Sequence, residues 1–335
     1  MRKLGVFILG ASLSICFAFG GSKYITAKAE ENFVYVGGMS AGFTLKANGA
    51  QVIGMCEVVS RDGVNSPAAE AGVRAGDTIL KVGGIKVDSI AELNDIVNKC
   101  KETSVEVEVL RGKDVLTFSL KPKKDELTGR YKIGVLVRDN ISGIGTVTYI
   151  DKSNKRFASL GHSVENENKQ ELKISNGIVY ECSIVGVSKG VRGRAGELRG
   201  MFMNEKTLGM AEKLCACGIF GTIDENFEFD NLQCVEAAST EVKPGIAYIY
   251  STVSGIIPER FEIEIVKVDK HNRDNKNYVI KVTDEKLIEE TGGIVQGMSG
   301  SPILQNGKMV GAVTHVFLND PTRGYGITIE TMLRE

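Results

Sequence analysis

The chain has 335 residues, a length that suggests two domains, and its 41 Lys+Arg against 42 Asp+Glu leave a formal net charge of −1. That balance, with no basic stripe along the chain, argues against a nucleic-acid binder. Hydrophobic residues at 42% and charged residues at 25% are those of a folded globular protein, and 39 glycines with no tryptophan favour turns and β-structure over long helices.

In chain order, residues 1–29 read as a targeting segment. Arg2 and Lys3 precede an uncharged run from Leu4 to Ser22, near the length that spans a bilayer, and the flanking charges favour an inside start. Ala27-Lys28-Ala29 offers a small-x-small cleavage site several residues beyond that run, so an uncleaved membrane anchor is the expectation and a cleaved signal peptide its rival. Either way, the rest of the chain is exported.

Residues 30–122 form the next unit. Ala41-Gly42-Phe43 belongs to a glycine-containing loop running into a strand, and Ser66-Pro67-Ala68 through Gly76-Asp77-Thr78-Ile79-Leu80 resembles the PDZ pattern of bacterial exported proteases. Ser89 and Glu92 make a capping box, and Leu93, Ile96, Val97 and Cys100 follow at helical spacing. Val105, Val107 and Val109 alternate with glutamates, as in a half-buried strand. PDZ domains bind an extended peptide as an added strand beside such a helix. The resemblance places the carboxylate-holding loop at Ala41, Gly42 and Phe43; the plainer reading is a domain that only packs against its neighbour. Residues 123–130 are polar, break the periodicity and read as a linker.

Residues 131–335 carry many short β-type runs separated by turns, which suggests barrels or a sandwich. The glycine-rich basic stretch Lys189 to Glu197 lacks a following Gly-Lys-Ser/Thr and reads as a mobile surface loop. Seven cysteines have irregular spacing; Cys215-Ala216-Cys217 is a weak metal or redox hint, and no metal is assigned. Of three histidines, His271 lies in a charged loop and His315 ends an apolar run as a strand histidine, so His162, after Leu160-Gly161, is the best general base by elimination.

The segment Gly297-Met298-Ser299-Gly300-Ser301-Pro302 carries the most chemistry. Its glycines permit a sharp turn in which two backbone N–H groups converge, as an oxyanion hole requires. Asn306-Gly307 suits a type I′ turn, so Pro302 onward reads as a tight hairpin. A serine just before such a hairpin is the layout of a chymotrypsin-like nucleophile; the plainer alternative is a glycine-rich turn. Ser301, on the proline side, ranks below Ser299. The residue before Ser299 is Met298, where the trypsin-like pattern has an aspartate that pairs with a new N-terminus, so activation by that insertion is not expected.

Four segments together resemble the SpoIVB peptidase family: Leu160-Gly161-His162; Phe220-Gly221-Thr222; Glu290 to Ile303; and Gly311 to Phe317 with Asn319-Asp320-Pro321-Thr322. The resemblance runs over the whole chain and implies a mainly β fold, a PDZ domain followed by a chymotrypsin-like double β-barrel protease. It implies a catalytic set in which Ser299 attacks, His162 transfers the proton and Asp284 orients His162, with the N–H groups of Gly297 and Ser299 as oxyanion hole. From the residues alone, Asp284 reads rather as the N-cap of the helical pattern that follows, and Asp224 and Asp230 are fallback acids. The resemblance further implies no cofactor, export across the forespore membrane and self-cleavage. The implied substrate is a regulator of an intramembrane metalloprotease, whose cleavage triggers pro-sigma-K processing in the mother cell. The PDZ partner would be peptide C-termini or the chain's own N-terminal region. A quality-control protease and an inert PDZ adaptor are the alternatives.

Overall fold

The structure, a computed structural model, describes residues 33–164 and 174–335. The expected targeting segment lies outside them. Among the described residues no helix is long and apolar enough to cross a membrane.

The first elements are β1 (Phe33–Val36) and β2 (Ser40–Met55). Next come α1 (Pro67–Ala71), β3 (Thr78–Val82), α2 (Ile90–Cys100), β4 (Val105–Arg111) and β5 (Asp114–Leu120). The chain continues through β6 (Val135–Asp151), β7 (Arg156–Ser159), β8 (Ile174–Ser188), β9 (Glu197–Cys215) and β10 (Gly218–Ile223). The last part holds β11 (Gly245–Ser251), β12 (Glu259–Val268), β13 (Tyr278–Val282), α3 (Glu285–Thr291), β14 (Pro302–Gln305), β15 (Lys308–Phe317) and β16 (Asp320–Thr328).

Two barrels emerge. In the first, β2, β6, β7, β10, β9 and β8 are neighbours in that order, and β8 returns to pair with β2. In the second, β11, β12, β13, β16, β15 and β14 close on themselves. Period-two patterning fills the interiors: Phe261, Ile263 and Ile265 are buried while Glu262 and Glu264 point outward. Asn306 and Gly307 take φ of 52° and 79°, and Gln305 faces Lys308 across the expected tight hairpin of β14 and β15. The expectation of a mainly β, double-barrel protease fold holds.

The domain layout differs from the sequence expectation of consecutive units. β2 and β6 are each long enough to serve two domains. Ser40 to Lys46 of β2 pair with Asn140 to Thr146 of β6 inside the first barrel, whereas Gln51 to Met55 pair with Val135 to Arg138 beyond it. There Ala50 and Gln51 also pair with β3, followed outward by β4 and β5. The α1–β5 unit is therefore inserted between the first two strands of the barrel on a continuous two-stranded ribbon. It has its own core, including Val52, Ile79, Leu93, Val97, Val107 and Ile133.

Two expectations are corrected here. Ala41, Gly42 and Phe43 are not a free loop: each sits within β2, paired on one edge with β6 and on the other with β8, so the backbone has no open side for a peptide carboxylate. A Cβ on Gly42 would meet the Phe202 ring at 2.4 Å, a barrel-packing constraint rather than a ligand-binding one. Residues 123–130 are not a linker. Asp125 is buried, accepting from the Thr128 amide and hydroxyl and pairing with Lys132 at 3.0 Å, and Lys123-Lys124 pair with Tyr131-Lys132. The buried carboxylate needs those donors, and together they fold the polar stretch into a hairpin end.

The inserted unit has a buried ion pair of its own. Asp77, 1% exposed, accepts from Arg111 at 2.7 and 2.8 Å and from the Arg74 amide at 2.9 Å. Arg111 also donates to the Gly72 carbonyl, at the left-handed residue that ends α1. The capping box forms with an adjustment: Ser89 accepts from the Glu92 amide, while the Glu92 carboxylate reaches back to the amide of Asp88.

Candidate active site

Both barrels contribute to one cavity of about 540 Å³, lined by His162, Gly297, Ser299, Thr314 and His315 among others. His162 follows β7 after Leu160 and Gly161, which take φ of 72° and 69°, a tight left-handed pair that turns the chain out of the first barrel. Its Nδ1 lies 2.7 Å from the Ser163 carbonyl oxygen. A ring nitrogen facing a carbonyl must donate, so this contact puts the proton on Nδ1 and leaves Nε2 as the basic atom.

Ser299 sits between Gly297 and Gly300, at φ of 98° and 95°. Gly300 has no substitute: a Cβ there would lie 2.2 Å from the Thr146 carbonyl oxygen and 2.5 Å from the Leu160 amide. The Ser299 hydroxyl donates to the Thr314 carbonyl at 2.8 Å, so giving its proton to His162 means leaving that bond. The amides of Met298, Gly300 and Ser301 are bonded to Val295, Val313 and Met298. Among the described residues the Gly297 and Ser299 amides have no such partner, and both residues line the cavity. Ser301 is fully buried, is not among the residues that line the cavity, and among the described residues its hydroxyl has no hydrogen-bond partner.

Thr146 of β6 joins the two halves. Its amide donates to the Ser299 carbonyl at 3.0 Å, its hydroxyl donates to the Gly297 carbonyl at 2.8 Å, and its own carbonyl accepts from the Ser159 hydroxyl at 2.6 Å. One buried residue thus ties the serine turn to the segment that carries His162.

Asp284 is not among the cavity-lining residues. Its side chain caps α3, accepting from the Leu287 amide at 3.0 Å and from the Glu262 amide at 3.3 Å. The fallback acids differ too: Asp224 bonds Thr207 and Asn226 around its own turn, and neither it nor Asp230 lines the cavity.

His315, read from the sequence as an ordinary strand histidine, lies with its ring centroid 4.8 Å from that of His162. Burial against the cavity wall, then the neighbouring His162, push its pKa down to about 4, so it is neutral near pH 7. Its position at the end of an apolar run carried no sign of this pairing, because the partner is 153 positions away in another barrel (315 − 162). The loop Lys189 to Glu197 is pinned rather than mobile. The Gly190 amide bonds Thr291, the Gly193 amide bonds Leu318 and the Gly196 carbonyl accepts from Gln296, one residue before the serine turn.

Replacing Thr146 with valine keeps its shape and removes the bond to Gly297. The loss expected is about 1–3 kcal/mol of stability, with a fall in peptide hydrolysis. Urea unfolding and steady-state rates check both; a variant unchanged in each would show that the bridge does not hold the turn.

Comparison with known proteins bears on this geometry. A Clostridium perfringens protein named "Putative zinc metalloprotease" is 38% identical over 71 residues; the match covers 21% of each chain, so this chain spans about a fifth of that relative's length. Among solved structures, the PDZ domain of the SdrC-like protein from Listeria monocytogenes is 24% identical, covering 28% of this chain and 90% of its own at a TM-score of 0.23. The inactive form of the Rv3671c protease from M. tuberculosis H37Rv is 14% identical, covering 58% and 82% at a TM-score of 0.33. A PDZ domain profile matches residues 58–111, inside the inserted unit. The profile of the SpoIVB peptidase S55 family matches residues 129–333, which span β6 and every later strand, and the chain belongs to that family.

Proposed function

We propose that the protein is a serine endopeptidase in which Ser299 is the nucleophile and His162 the general base. The observation that carries this reading is the meeting of His162, Ser299 and two unpartnered amides in one cavity between the barrels. A substrate carbonyl placed over the serine turn has its oxygen held by the Gly297 and Ser299 amides, which stabilise the charge that develops on it. The Ser299 hydroxyl swings from Thr314 to Nε2 of His162, gives up its proton and attacks. His162 then passes that proton to the leaving amine, and water repeats the sequence to release the acyl group.

The Ser163 carbonyl takes part in tautomer control by accepting from Nδ1 of His162. Neutral His315 avoids adding a second positive charge beside the imidazolium. The family resemblance assigns Asp284 the orienting role. In the structure that carboxylate holds α3, the helix that leads into the serine turn.

The sporulation reading extends this. The substrate is a regulator of an intramembrane metalloprotease, reached after export across the forespore membrane, with the N-terminal segment as anchor. The inserted PDZ domain would receive peptide C-termini or the chain's own N-terminal region. Support for a groove comes from β6: among the described residues, Val135 to Arg138 pair with no strand but β2, and α2 lies beside them, its Ile90 amide donating to Asp139.

Three outcomes are expected. Ser299→Ala abolishes self-cleavage and peptide hydrolysis with the unfolding transition unchanged, while Ser301→Ala remains active; the reverse pattern would move the nucleophile. Asp284→Ala loses about 1 kcal/mol of stability through the lost cap, and Asp284→Asn restores it. Turnover of the asparagine variant then reads the acid role separately. A drop of about 10³–10⁴-fold would show that the carboxylate also serves His162, and a rate near wild type confines it to the cap. Finally, His315 binds its proton more weakly folded than unfolded. Its contribution to stability is therefore full above the ordinary histidine pKa and falls as pH drops from about 6.5 towards about 4. NMR titration should find the His315 ring neutral at about pH 5.5, and a midpoint near the ordinary histidine value would contradict this packing.

A further inference from the structure

Outside the catalytic cavity, the turn between β9 and β10 holds two cysteines with one residue between them. Cys215 and Gly218 face each other across the ladder, so Ala216 and Cys217 form the turn itself. The two sulfurs are 3.1 Å apart. Among the described residues no other two cysteines are hydrogen-bonded, although six free thiols are present. Cys217 is 3% exposed and packs with Val34, Phe220 and Met309, whereas Cys215 is only half-buried. One sulfur is reachable from outside and the other waits behind it.

The surroundings are built around the pair. Asn275 donates to the Ala216 carbonyl at 3.0 Å, holding the turn from the second barrel. Lys213 pairs with Glu335 at 2.5 Å, and a Glu335 carboxylate oxygen and both sulfurs all lie within 4.8 Å of one another. The hydrogen bond from Cys217 brings the Cys215 thiol down to about 7, while the same contact and burial push Cys217 up. The Glu335 carboxylate disfavours a thiolate on either sulfur, so it is the hydrogen bond from Cys217, aided by Lys213, that favours negative charge on the outer one.

We propose that Cys215 and Cys217 form a thiol–disulfide exchange site, Cys215 attacking and Cys217 resolving, that takes small-molecule or protein disulfides as substrates. The Cys215 thiolate attacks one sulfur of R–S–S–R, the S–S bond breaks, and RS⁻ leaves and takes a proton from water. Cys217 then gives its proton to solvent and attacks the Cys215 sulfur of the mixed disulfide, expelling the second RS⁻. The net change is two protein thiols oxidised to one disulfide and one external disulfide reduced to two thiols. With only Ala216 between them, the cysteines close a small ring, and such strained disulfides are readily reduced, so the site is reversible.

The test uses the full chain, reduced and then exposed to glutathione disulfide, with acid-quenched samples read by peptide mass spectrometry. The expected result is a transient glutathione adduct on Cys215, then a Cys215–Cys217 bond with two glutathiones released, and Cys215 reacting about tenfold faster than an ordinary exposed thiol, exposed Cys234 serving as internal reference. Cys217→Ser should stop at a stable adduct on Cys215, and Cys215→Ser should give none on Cys217. The wild-type time course stands without either variant, should one fail to fold. Adducts confined to Cys234, a persistent adduct on wild-type Cys215, or thiols at this pair that react only after a chelator is added would each overturn the assignment.

Discussion

The site depends on Thr146. A chymotrypsin-like cleft lies between two barrels that share buried apolar clusters, Cys182, Ile184 and Leu198 with Ile249 and Phe261 in one, Ala158 and Phe220 with Leu304 and Met309 in another, but apolar packing is non-directional and does not by itself orient a turn. Something must fix the serine turn of one against the histidine segment of the other. Thr146 does so with three hydrogen bonds from a single buried residue, to Ser299, to Gly297 and from Ser159. Buried polar groups that are fully satisfied resist displacement, because breaking one leaves an orphan donor or acceptor away from water. Gly300 completes the arrangement by letting the turn approach within a distance no side chain allows.

Thr146 also belongs to the strand that ties the inserted domain to the cleft. β6 pairs with β2 under the PDZ core at Val135 to Arg138, continues through the first barrel, contributes Ile141 to Ile144 to the cavity wall and ends past Thr146. The segment beside α2 and Thr146, which holds the serine turn by hydrogen bonds, are therefore on one strand. An insertion through two paired strands gives the domain a stiffer attachment than a flexible linker would, since turning it requires bending a hydrogen-bonded ribbon.

Much of the site was legible in the sequence, and the reasons are local. The Gly-Met-Ser-Gly turn, the Asn-Gly hairpin and the capping box at Ser89 are encoded by neighbours in the chain, and each forms. What was hidden is non-local. Alternating hydrophobicity can mark β2 and β6 as strands but cannot show that each changes partners midway, so a unit border that runs through both strands has no local signal. Ala41 to Phe43 looked like a loop because glycine is enriched in loops; here Gly42 makes room for Phe202. Asp125 turned a polar stretch into a hairpin end through a lysine seven positions away. Asp284 was readable as either acid or cap, and the local N–H groups of Leu287 and Glu262 hold it as a cap. His315 gave no local sign at all.

Active-site labelling addresses the central claim, that Ser299 and His162 work as nucleophile and base across the barrel interface. The purified protein, treated with a fluorophosphonate and digested for mass spectrometry, should carry one adduct on Ser299, and His162→Ala should prevent labelling while leaving the fold intact. A label on Ser301, or equal labelling of Ser299 without His162, would contradict the account.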